Sequence, residues 1–168
     1  KLKDALNRKW QCATVQCDFA LPQRFGLAYV DSDGKEKQPI MLHRVLLGSL
    51  ERFMGALLEQ HKGAMPLWLS PVQAVVIPIK ETTRQYALKV KQSLQDKGMR
   101  VEIDERNETL NKRSREAEVE KAPYILIIGE REAQSGNVAV RKRGEGDKGV
   151  MPLDEFIDRA EKEIKSKA

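Results

Sequence analysis

The sequence is poor in the residues that most catalytic and metal sites depend on. It holds two histidines, His43 and His61, and two cysteines, Cys12 and Cys17. It has no GxSxG nucleophile elbow, no HExxH metal helix and no GxxxxGK[ST] phosphate loop, so the common hydrolase and P-loop chemistries are excluded by pattern. The cysteines stand five apart in a strand-like segment and point to opposite faces. That fits neither a disulfide framework nor a CxxC knuckle, and reduced thiols are expected. No apolar run is long enough to span a bilayer, so no membrane is expected as partner. The opening "KLKDALNRKW" lacks the apolar core of a secretion signal, and a cytoplasmic location is expected.

What is present is a charged, globular composition. Hydrophobic residues make up 40% and charged residues 33% of 168, room for one good domain or for one domain plus part of another. The net charge of +5 permits nucleic-acid binding without demonstrating it. Residues 1–65 carry 10 Lys+Arg against 7 Asp+Glu and residues 66–168 carry 20 against 18, so the excess is thinly spread. Local clusters are confined to "NKRSR" at 111–115 and "RKRGEGDK" at 141–148, which read first as solvated faces.

The pattern changes near residue 66. Before it, "WQCATVQCDFA" and "RFGLAYVDSDGKEKQPIMLHR" read as extended segments, the second as a hairpin turning at "DSDG". Two or three strands and one helix make too little sheet to close a core, so residues 1–65 are expected to be the end of a larger domain. After it, strands and helices alternate. "QAVVIPI", "MRVEID", "YILIIG" and "NVAVRKR" read as strands, with "YILIIG" central because it is apolar throughout. Helices are expected over "TTRQYALKVKQSLQDKG", with a threonine cap, over about 108–120, and over "PLDEFIDRAEKEI"; "EREAQSG" reads as a turn. The expected fold is therefore α/β: a mixed-sheet domain with three helices over 66–168, preceded by an antiparallel-sheet and helix remnant.

One stretch of the first part breaks its own pattern. In "LHRVLLGSLERFMG" the residues Leu46, Leu47, Leu50, Phe53 and Met54 recur at helical spacing, while Gly48, Arg52 and Gly55 fall on the other stripe. With Ser49 as N-cap, Arg52 occupies the first turn at the positive end of the helix, and both glycines read as clearing space around its guanidinium. One reading is a close backbone contact beside a solvated arginine. The other is a phosphate or flat ring held over Arg52. His61 reads as a surface residue at a helix end. His43 lies on the strand face of Met41 and Val45 and reads as structural, since one histidine cannot hold a zinc ion alone.

These residues together resemble a known family. "WQCATVQCDF", "PIMLHRVLLGSLERFMGALLE" and "MPLWLSPVQ" are similar to the C-terminal part of the threonyl-tRNA synthetases, class II aminoacyl-tRNA synthetases, over essentially the whole chain. In that resemblance "GSLER" is the third class II motif, and residues 66–168 are the anticodon-binding domain. Arg52 then matches the arginine that stacks on adenine and contacts the terminal phosphates of ATP. His43 matches one of three zinc ligands, the other two lying upstream of this chain. Gln11 and Gln16 match glutamines lining the adenylate and threonine sites; five apart on a regular strand they face opposite ways, so a bulge is expected between them. Asn107, Arg115, Glu132 and Arg141 match the residues that recognise the anticodon, and Arg143 is a candidate for a phosphate contact.

The resemblance implies ATP, magnesium and zinc as cofactors of the full-length enzyme, and threonine and tRNA(Thr) as its partners. It implies a homodimer for the full-length enzyme but gives little reason to expect one from these residues, which lack the first motif. With half the ATP site absent, the 168 residues alone are expected to be inactive. The alternative is a stand-alone, non-catalytic RNA-binding or regulatory module of the same architecture.

Overall fold

The structure, a computed structural model, describes residues 1–167. The chain forms two compact units, Lys1–Lys62 and a second from Gly63 onward. None of the described helices is long and apolar enough to cross a membrane.

The first unit consists of small ladders. β1 (Leu2–Lys3) pairs with β2 (Lys9–Trp10) around a turn organised by Asp4, whose carboxylate accepts from the Leu6 and Arg8 N–H groups, Arg8 Nε and Trp10 Nε1. β3 (Thr14–Asp18) leads into α1 (Ala20–Arg24). β4 (Tyr29–Val30) and β5 (Glu36–Lys37) form the hairpin at "DSDG", shorter than the sequence suggested. Its expected continuation, β6 (Met41–Val45), instead leaves to pair antiparallel with β3. α2 (Leu50–Gln60) closes the unit. Val15 and Leu42 on the β3–β6 ladder, and Leu46, Leu50 and Met54 at α2, stay exposed because two-stranded sheets cannot enclose them.

The second unit buries a full sheet. Its strands are β7 (Ala74–Pro78), β8 (Val101–Ile103), β9 (Tyr124–Ile128), β10 (Asn137–Lys142) and β11 (Gly146–Pro152). They lie in the order β11-β10-β9-β7-β8, parallel from β9 to β8 and antiparallel elsewhere. β9 is thus the middle strand, and every residue of β7 and β9 is buried, as continuous apolar runs require. α3 (Arg84–Asp96) and α6 (Leu153–Ser166) share a core with Val76, Leu126 and Val140 on one sheet face. α4 (Leu110–Val119) packs through Ala117 and Leu110 against Val75, Ile77 and Ile125 on the other.

Three local differences from the sequence reading have physical causes. "EREAQSG" winds into a short helix, α5 (Glu130–Ser135), because Glu132 reaches back to cap the Gly129 N–H at 3.0 Å and Gly136 ends the helix at φ +72°. Thr83, expected to cap α3, is buried and turns its hydroxyl to the carbonyls of Lys80 and Ile128, at 2.9 and 3.1 Å. β11 had no sequence signal: its glycines and charges hide a strand that buries only Met151.

Candidate functional site

The N-terminus of α2 is built as its sequence suggested. Ser49 accepts from the Arg52 N–H at 3.3 Å and donates to Glu51 at 2.7 Å. The reason for Gly48 differs from the expectation. At φ +68°, a Cβ there would stand 2.8 Å from the Cys12 carbonyl oxygen, so this glycine admits a backbone and does not clear space for a ligand. Only Gly55, with nothing within 4 Å of its Cβ position, leaves the stripe open.

The exposed Arg52 guanidinium lies 5.6 Å from the centroid of the Trp10 ring, and Arg8 lies 5.7 Å from the same ring. Trp10 is itself fixed by Asp4, which accepts its indole N–H at 2.8 Å. Burial would raise the Asp4 carboxyl, but the hydrogen bonds from Trp10, the Arg8 side chain and the backbone outweigh it and hold the pKa at about 2. Trp10 and Asp4 were not singled out in the sequence; "WQ" carries no pattern that marks a platform under an arginine 42 positions later.

The β3–β6 ladder brings a second set together. Gln16 stands directly opposite His43, and Asp18 lies on the same face two residues on. His43 Nε2 is 3.1 Å from Asp18 Oδ2, with the His43 side chain 40% exposed. The Asp18 carboxylate also accepts from Ala20 and Leu21 N–H groups, and the Leu21 bond foremost, then the His43 contact, hold it below the usual range against the effect of burial. Gln11 is not on this strand. It sits in the segment between β2 and β3, its amide donating to Thr14 Oγ1 at 2.7 Å, so a break in the strand and not a bulge removes the spacing problem. Cys12 is buried and Cys17 exposed, both unpaired thiols. Among the described residues no three His, Cys, Asp or Glu side chains come together to hold a metal.

In the second unit the four anticodon candidates spread over the sheet's α4 side and its strand ends. Asn107 lies in the exposed loop after β8 and lines a cleft of about 280 Å³ with Pro78, Lys80, Arg84 and Arg113. Arg115 is exposed on α4. Glu132 caps α5 beyond the carboxyl end of β9. Arg141 is exposed on β10, opposite Ile125 near the start of β9, and lines a second cleft of about 280 Å³ with Glu118, Ala122 and Arg143. Three residues of strand, roughly 10 Å, separate that level from Ile128 at the end of β9. Among the described residues Glu132 and Arg141 make no ion pair, which disposes of the surface salt bridge as the reason for either.

Arg143 departs from its expected role. Its Nη1 and Nη2 each donate, at 2.5 Å, to the carbonyls of Lys121 and Met65, and burial lowers its pKa. It ties the segment entering the domain to the end of α4, leaving no fork for a phosphate.

Comparison with known proteins places both units. Residues 73–163 match the family described as the anticodon binding domain, and residues 2–61 match the class II tRNA synthetase core domain of the G, H, P, S and T enzymes. The threonine–tRNA ligase of Caldanaerobacter subterraneus subsp. tengcongensis is 52% identical over 167 residues, 99% of this chain and 26% of the relative. That of Acidobacterium capsulatum is 54% identical over 168 residues, 100% of this chain and 25% of the relative. The chain thus spans about a quarter of the length of the curated relatives it matches. Among solved structures, the RNA binding domain of threonyl-tRNA synthetase from Cryptosporidium parvum superposes with a TM-score of 0.82 at 39% identity, covering 95% of this chain and 41% of that one. The prolyl-tRNA synthetase of the same organism gives 0.71 at 25% identity, covering 93% and 34%.

Proposed function

We propose, from the premise that this chain belongs to the anticodon-binding-domain family of the class II aminoacyl-tRNA synthetases, that it is the C-terminal part of a threonine–tRNA ligase. Residues 1–65 complete a catalytic domain, and residues 66–168 bind the anticodon. The observation that carries this reading is the match of both units, at about half identity, to one and the same kind of relative.

In the whole enzyme, threonine's carboxylate attacks the α-phosphate of ATP and pyrophosphate leaves; a terminal ribose hydroxyl of tRNA(Thr) then attacks the threonyl carbonyl of the adenylate, forming the ester and releasing AMP. The contribution of these residues is positioning and charge neutralisation. Arg52, at the positive end of α2 and backed by Trp10, presents a flat cation to the adenine and terminal phosphates of magnesium-bound ATP. Gln11 faces the adenylate and Gln16 the amino acid, beside His43. His43 would supply one zinc ligand. Its Nε2 is held by Asp18, the carboxylate–imidazole arrangement that orients metal-bound histidines, and two further ligands come from outside these residues. When bound, zinc supplies a Lewis acid for threonine's amino and hydroxyl groups, which an isosteric valine cannot satisfy. In the full-length enzyme a homodimer is expected.

The test uses the chain as it stands. A stem-loop with a threonine-type anticodon should bind more tightly than one in which the anticodon guanine is replaced, while these 168 residues alone show no threonine-dependent pyrophosphate exchange. Equal binding of both RNAs would refute the anticodon assignment, and measurable exchange would refute the expectation that these residues lack part of the catalytic site.

A further inference from the structure

β7 and β8 are parallel neighbours whose following helices, α3 and α4, pack on opposite faces of the sheet. The loops after both strands leave a crevice outside their carboxyl ends, the side of an open α/β sheet on which ligands bind. Here it is the cleft of about 280 Å³ that Asn107 lines, floored by Pro78 and Ile79.

Most of the charges around this cleft are paired with one another. Lys80 pairs with Glu130 at 3.0 Å, Arg84 with Glu105 at 2.6 Å, Arg106 with Asp104 at 2.6 Å and with Glu116, and Glu108 with Lys112 at 2.6 Å. Glu81 lies 3.9 Å from Arg84. Arg113 is different. It is 5% exposed and, among the described residues, has no carboxylate within 4.0 Å. Its Nη1 donates to the Asp104 carbonyl at 3.0 Å, while Nε is buried with no acceptor. A guanidinium taken out of water with no carboxylate in contact is costly, and an anion in the cleft it lines would offset that cost. The ten-residue α4, capped by Thr109 next to the cleft residues Asn107 and Glu108, points its positive end the same way.

We infer that this cleft seats a phosphodiester of the RNA strand whose anticodon the domain reads, with Arg113 as the neutralising cation and Asn107 beside it on the same nucleotide. One buried cation with no carboxylate in contact matches the one charge of a phosphodiester and is too little for a free nucleoside triphosphate. The inference rests on the anticodon reading and adds to it a phosphate seat that Asn107, Arg115, Glu132 and Arg141 do not supply.

The test is a stem-loop series in which each anticodon-loop phosphate is replaced singly by an uncharged methylphosphonate, bound to the wild-type chain and to Arg113→Gln over a range of salt. In the variant the slope of log affinity against log salt should flatten by about 0.7, one single-strand phosphate contact. One methylphosphonate should weaken wild-type binding roughly tenfold, the low end for a hydrogen bond to a charged group, and cost Arg113→Gln nothing further. Losses that simply add, or an unchanged slope, would reduce Arg113 to a brace for loop 104–109. Should the variant not fold, the NMR signal of the Arg113 Nε–H group in the wild type decides. It should shift with the unmodified RNA and not with that one methylphosphonate, and a signal indifferent to both overturns the seat. Wild-type chain that binds no stem-loop refutes the anticodon reading itself; discriminating binding without an Arg113-linked phosphate refutes only the seat.

Discussion

Arg52 rests on the face of Trp10, its guanidinium carbon 5.6 Å from the ring centroid. A platform of this kind spares the long side chain much of its rotamer freedom before a ligand arrives. In the longer enzyme, Arg52→Ala should lose about 3 kcal/mol of transition-state binding in adenylation, the scale of removing one charged contact. Trp10→Leu should be milder, raising KM for ATP about two- to fivefold, as expected for a cation–π contact of about 0.5–1 kcal/mol, with KM for threonine unchanged. Pyrophosphate-exchange kinetics separate the two; an equal effect on both KM values would make Trp10 a folding residue only.

His43 and Gln16 share a ladder face, so the metal and the amino-acid side chain should be felt together. His43→Ala in the longer enzyme should cut zinc content and selectivity against valine while leaving stem-loop affinity intact. Full zinc occupancy in that variant, by atomic absorption, would return His43 to a purely structural partner of Asp18.

Asp4 predicts an acid transition in the first unit. Its folded pKa of about 2 lies below the ordinary value of 3.8, so its stabilising contribution is complete above about pH 4 and is lost as the pH falls towards 2. In a Trp68→Phe background, Trp10 fluorescence should follow that loss, and Asp4→Asn should make the transition shallower. A transition unaffected by the substitution would assign it to other carboxylates.

Glu132 caps α5, and the proposed anticodon contact would give it a second duty that a single truncation cannot separate. Glu132→Ala removes the Gly129 cap as well as the carboxylate, costing about 0.5–2 kcal/mol of stability. Glu132→Gln keeps an oxygen for the cap and should therefore hold the melting temperature while losing discrimination at the anticodon guanine, where a carboxylate accepts from N1–H and N2–H. Retained discrimination in Glu132→Gln would confine Glu132 to its capping role.

Arg143 sits in a basic run yet spends its fork on two carbonyls. Arg143→Ala should lower stability by about 1–3 kcal/mol, since it strands the part-buried Met65 oxygen, and leave the salt dependence of RNA binding unchanged. A flattened salt slope at constant stability would restore the phosphate contact.

The alternation of "QAVVIPI" and "YILIIG" with amphipathic helices was legible because burial on both sheet faces writes itself as an unbroken apolar run. β11 was not, since Gly146, Gly149 and Lys148 meet the strand's needs through backbone bonds that no side-chain pattern reports. The same division holds at the sites. Ser49 and Arg52 follow from local capping rules. Gly48 misled, because its reason is a carbonyl 36 positions earlier, and Arg113 was invisible because a buried arginine and a surface one look alike in "NKRSR".

The five-stranded sheet is shielded against joining another. One border, β8, is three residues long, too brief to template a neighbour. The other, β11, slips register against β10 between Ala139 and Arg141 and carries left-handed glycines beside exposed Asp147 and Lys148, so its outer hydrogen-bonding row is kinked and charged. Among the described residues no strand pairs with either outer row of the β3–β6 ladder, and Val15 and Leu42 stand exposed between those rows. The two halves of the chain therefore face crowding differently, the second tolerating high concentration as a separate body and the first depending on a covering surface to escape edge-to-edge aggregation.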